Sequence, residues 1–293
     1  MLTARDIVFG VGLPAIIAGV VLVIAWRPWR SQPTQTGGEW GGPLALGVGF
    51  AVAYLTLLGR PPFPPIDSTD WLFFLALLLT VCGVVDSLWS ISGWRRWVLG
   101  LANPTLSVSL LLWPLARNTW SQIEGVAWIA ALAATVWLWW IALDTHAGRD
   151  AAVSPLLQLV AVSGVASLVL MLSASLKLAQ LGGALTGAVG ASFVLALVGK
   201  SRVSARGTIQ VFVVLFLGLV ISGHFFASLT ALNAVLLGAA PLLTWIDQIP
   251  TVQKLRAWQR GAVGTTAVIL PCVAALAFAT VNFVRSMPDY GEY

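Results

Sequence analysis

Apolar runs of about twenty residues, set apart by short polar segments, follow one another along the whole of this 293-residue chain. A helix of roughly 20 apolar residues crosses a hydrocarbon core about 30 Å thick. Backbone groups find no water in that core, so each crossing segment must satisfy its own hydrogen bonds as a helix. Runs at 7–25, 43–58, 71–88, 97–115, 124–143, 153–176, 181–199, 208–226, 231–246 and 262–284 read as spans. The expected fold is all-α, a polytopic transmembrane bundle of about ten helices in one integral membrane domain covering 1–293. Composition agrees, since 9% of residues are charged, against roughly 25% in soluble domains. No separate soluble domain fits beside ten spans.

The first run is long for a signal-peptide core and no small-residue cleavage site follows it, so it reads as a retained span. Arg5 and Asp6 precede it, and Arg27 and Arg30 follow, which puts its N-terminus outside. The stretch 209–246 runs for 38 residues without Asp, Glu, Lys or Arg, about two spans' worth. Its polar cluster Ser222, Gly223, His224, Ser228, Thr230 and Asn233 marks a turn between them. With that split, the loops after spans 1, 3, 5, 7 and 9 carry eleven Lys or Arg, and the opposite side carries five. The bias makes the richer loops cytoplasmic and places both termini outside, in the cytoplasmic membrane of a prokaryote. Most of the 15 tryptophans fall near predicted span ends, where an indole ring is buried while its N–H stays wet. The net charge of +5 does not point to nucleic acid, because the basic residues lie singly or in twos and threes between apolar runs.

Small residues four apart let helices approach closely. The second span carries Ala45, Gly49 and Ala53, and the seventh Gly183, Gly187 and Ala191. These spans are five apart, as two inverted five-helix halves, 1–150 and 151–293, would require. Ala-Ser-Leu occurs at 174–176 and again at 227–229, which points to related hairpins. Pro61, Pro62, Pro64 and Pro65 make the outer loop 59–70 a stiff spacer or lip.

Candidate site residues fall into three groups. Lys177, His224 and Asn233, with Ser173, Ser222 and Ser228, form a polar vestibule for a polar or anionic solute near the outer side. Asp86, Asp144 and Asp247 recur near the cytoplasmic ends of spans 3, 5 and 9, where they attract a cation or pair with Arg95, Arg149 or Lys254. Pro241 in the ninth span, with Gly238 one turn earlier, predicts a kink facing the interior, flanked by Thr230 and Asn233 above and Thr244 and Asp247 below. His146 and His224 sit on opposite faces in this topology and cannot share one haem or metal, so no cofactor and no metal is expected. Cys82 and Cys272 behave as small apolar side chains inside their runs.

No Asp, Glu, Lys, Arg or His falls in the central third of any span, and no hydrolase, metalloprotease or phosphate-loop motif occurs. The chain is therefore not expected to be an enzyme. Two functions fit: a permease or channel-like protein for a small solute, and a non-catalytic scaffold subunit of a larger membrane complex. Its surroundings are the lipid bilayer and, for the scaffold, other membrane subunits.

Overall fold

The computed structural model describes residues 8–26, 39–89, 93–147, 153–199 and 207–286. Among them every regular element is helical. Seven helices are long and apolar enough to cross a membrane, and Gly41–Leu57, Leu156–Leu172 and Ala231–Ile246 are shorter apolar helices. Helix α1 opens with a π-helical turn, Val8–Gly12, and continues as Leu13–Trp26. Helices α2 to α5 are Gly41–Leu57, Ser68–Trp89, Trp94–Asn118 and Gln122–Ala147. Helices α6, α7 and α8 are Val153–Leu172, Leu176–Gly199 and Thr208–Phe226. Helix α9 starts as Ala231–Ala239 and runs on as the 3-10 helix Ala240–Gln248. A helical turn, Pro250–Gln253, leads into α10, Ala257–Ser286.

The charge-free stretch 209–246 is divided where its polar cluster falls. Helix α8 ends at Phe226, and Thr230 caps α9 by accepting a hydrogen bond from the Asn233 N–H at 3.3 Å. The boundary between α6 and α7 differs from the sequence expectation. Helix α6 stops at Leu172, Ala174 takes a left-handed φ of 61°, and the Ser175 hydroxyl accepts from the Leu178 N–H at 3.4 Å. A serine cap thus starts α7 five residues before 181 and puts Lys177 in its first turn.

Helix α8 is the centre of the bundle. Every residue from Ile209 to Gly223 is buried, and α2, α3, α4, α5, α6, α7 and α9 all pack on it. Its register is set by small residues: Gly83 of α3 lies on the Gly207 carbonyl and Val211, and Gly218 lies between Leu72 of α3 and Leu111 of α4. Helix α1 lies between α2 and α7. Both small-residue stripes face it, Gly49 against the Pro14 carbonyl and Gly183 and Gly187 against Gly10 and Val11. Glycine at these points lets a backbone carbonyl rest on the neighbouring helix.

The nine α-helical and nine 3-10 residues of α9 rise about 31 Å, at 1.5 and 2.0 Å each. Consecutive helices pair alike in the two halves of the chain, but other neighbours differ. Helix α1 packs on α7, whereas its counterpart α6 packs on α10, and α3 is far less enclosed than its counterpart α8.

Candidate functional site

At one face of the bundle, a polar network joins α2, α3 and α7. Tyr54, buried near the end of α2, donates to Asp70 Oδ1 at 2.5 Å, and Asp70 Oδ2 accepts from the Asp67 N–H at 3.2 Å. Asp67 also meets Lys177 Nζ at 3.4 Å, with both side chains well exposed. Phe63, in the proline-rich segment, packs edge-on against Phe74, and Phe73 links Phe74 to Tyr54. The segment is therefore docked along α3 and tied to α7.

At the opposite face, Arg96 Nη2 lies 2.8 Å from the Asp144 carboxylate, with the guanidinium 5.7 Å from the centre of the Trp140 ring. The Trp140 ring fills the notch left by Gly100, and Trp245 donates its indole N–H to the Ala142 carbonyl at 3.0 Å. These contacts join the start of α4 to the ends of α5 and α9. On all the described helices, Asp, Glu, Lys and Arg lie in or beside a terminal turn or in the 3-10 end of α9.

Between the faces, polar groups are uncharged. Several buried side-chain atoms have no hydrogen-bond partner among the described residues: Gln158 Oε1 and Nε2 on α6, Gln210 Nε2 and Ser222 Oγ on α8, Asn103 Nδ2 on α4 and Asn233 Oδ1 on α9. Gln158 and Ser222 are wholly enclosed. The turn after α6 touches the turn after α8, through the Ser228 N–H and the Ser173 carbonyl at 3.2 Å, so the two helices end at one face. Leu170 packs on Gly223. Gln158 lies 12 residues before Leu170 on α6 and Gln210 13 residues before Gly223 on α8, so both lie towards the opposite face. Ser222 and Asn233 occupy the other end.

The sequence candidates are thus distributed rather than gathered. Lys177 pairs with Asp67 and not with the vestibule serines; the two Ala-Ser-Leu turns do meet. His224 Nδ1 lies 3.0 Å from the Leu229 carbonyl, which can only accept, so Nδ1 carries a hydrogen. Asn233 and Pro241 are buried on the inward side of α9, with Thr244, whose hydroxyl donates to the Pro241 carbonyl at 2.8 Å. Asp86 is buried in the last turn of α3. Asp144 pairs with Arg96, a base outside the expected set of Arg95, Arg149 and Lys254, and α4 separates it from Asp86. The side chains of Asp247 and His146 lie outside the described residues, as do Arg149 and Asp150. Among the described residues no three of His, Cys, Asp or Glu gather as a metal site. Gln158 and Gln210 are not among the sequence candidates; a carboxamide inside an apolar run is the signal that marks them.

Apolar helices of spanning length, with charge confined to both ends, define an α-helical multi-pass membrane protein. No family model, curated protein or solved structure matches the chain.

Proposed function

We propose that the chain is a permease for a small solute, with ten spans and both termini outside, in the cytoplasmic membrane of a prokaryote. The observation that carries this reading is the set of buried polar atoms without partners among the described residues, around an enclosed central helix. A packed structural subunit satisfies nearly all its buried polar groups, because each orphan costs about 1–3 kcal/mol. A solute that hydrogen-bonds in passing offsets that cost. Helix α9 supports the same reading. Pro241 has no N–H, so the Leu237 carbonyl loses its usual α-helical donor where the 3-10 segment begins. The scaffold reading draws on a different observation, the unbroken apolar packing of α8 from 211 to 221.

Reconstituted protein should take up its solute in proteoliposomes, and the Pro241→Ala, Asn233→Ala double variant should lose most of that uptake. Unchanged uptake of every tested solute sinks the permease reading in favour of the scaffold. The topology has its own test: after replacing Cys82 and Cys272, single cysteines in 200–207 and at the C-terminus should label from opposite sides. Labelling from one side refutes ten spans. Two inverted halves are supported by the paired small-residue stripes and opposed by the unequal surroundings of α3 and α8.

A further inference from the structure

We infer that the solute is uncharged and rich in hydrogen-bonding groups, and that it is held by two polar tiers along α8. This rests on the permease reading. One tier holds Gln158 and Gln210, the other Ser222 and Asn233, and each of these side chains is at least nine-tenths buried with an atom lacking a partner among the described residues. Gln210 and Ser222 stand 12 residues apart on α8, a rise of about 18 Å. Residues 211–221 between them are all apolar or glycine, and all are buried.

Carboxamides and hydroxyls both donate and accept, so they match amides, polyols and nucleosides. They offer no countercharge. A charged solute would give up its water against neutral groups and then cross an apolar layer, where the ion's desolvation slows passage by orders of magnitude. Charged groups near the two faces are engaged: Arg96 with Asp144, Lys177 with Asp67, Asp70 with Tyr54, and the buried Asp86 with a partner of its own. A neutral solute exchanges its water for the orphan amides at one tier and regains partners at the next. Its residual cost is apolar contact, which these walls favour.

The test is a melting screen of the purified protein in mild detergent with matched pairs that differ in charge: urea and guanidinium, nicotinamide and nicotinate, N-acetylglucosamine and glucosamine, uridine and uridine monophosphate. Stabilisation should come from an uncharged member, and the same compound should enter proteoliposomes. Gln210→Leu and Gln158→Leu should each abolish that shift. Each should also raise the unliganded melting temperature, by on the order of 2 °C, because an orphan amide is replaced by an apolar side chain. A purely structural amide would give the opposite sign. Stabilisation and uptake of a charged member without its uncharged twin overturn the inference and leave the permease reading standing. A lower unliganded melting temperature in both variants also overturns it. Failure of every compound to stabilise or enter overturns the permease reading itself.

Discussion

Two glycines three residues apart on α7 allow the packing of α1 to be measured against an internal control. A Cβ built at Gly190 meets nothing within 4 Å, whereas one built at Gly187 lands on the Val11 carbonyl oxygen and lies 3.2 and 3.3 Å from the Val11 carbonyl carbon and Cα. The obstacle is backbone, so no rotamer change relieves it. To reach ordinary contact at about 3.5 Å, α1 must move away by roughly 1 Å. Overpacking of that size costs about 1–3 kcal/mol. Glycine to alanine within a helix gains up to about 1 kcal/mol in propensity, but both substitutions carry that gain and it cancels in the comparison. Gly187→Ala should therefore melt below Gly190→Ala by about 2–6 °C, taking about 2 °C per kcal/mol for a chain of this size. A thiol-reactive dye reads the transition in mild detergent, since Cys272 is buried and Cys82 partly so in the folded state. Equal melting temperatures, or a more stable Gly187→Ala, would mean that α1 does not rest on this glycine.

Four further outcomes rest on single contacts. Gly47 faces the Thr80 hydroxyl, which donates to the Ala76 carbonyl at 2.6 Å, so Gly47→Ala should cost about 1–3 kcal/mol. Adding Thr80→Ala should recover part of that loss in a double-mutant cycle. Asp144→Asn should lower stability by about 1–3 kcal/mol, because it strands a half-buried guanidinium. Asp67→Asn acts on an exposed pair and should cost under about 1 kcal/mol, vanishing in 1 M salt; equal, salt-sensitive losses would contradict the difference in burial. Trp245→Phe removes one indole hydrogen bond to Ala142 and should cost about 1 kcal/mol in the same melting assay.

Much of the helical plan was legible in the chain because a hydrocarbon solvent leaves the backbone little choice. The charge-free stretch 209–246 divides at Thr230, as its polar cluster implies, and the stripes on α2 and α7 do lie at helix contacts. The end of α6 was less legible. Leu176 continues an apolar run, but the local hydrogen bond of Ser175 decides the break, and hydropathy averages over such a bond. The candidate site was legible only in its charged residues. Lys177, Asp86 and Asp144 attract notice because charge is rare in a membrane segment, whereas Gln158 and Gln210 matter through enclosure, which no local pattern reveals.

By itself, then, the sequence determined that this is a chain of apolar helices with its charges at their ends. Hydropathy and charge are local properties, and the cost of placing a polar group in hydrocarbon is local too. Tertiary structure alone decided which helix is central and which residues become partners. Thr208–Phe226 is no more apolar than several of its neighbours, yet only packing surrounds it on every side. Asp144 could meet any nearby base; the notch at Gly100, filled by Trp140, brings the start of α4 against the end of α5 and selects Arg96, 48 residues away in the chain. Both small-residue stripes could have faced any helix. They face α1 because backbone carbonyls can approach closely only where a Cβ is missing, and that complementarity exists between helices, never within one.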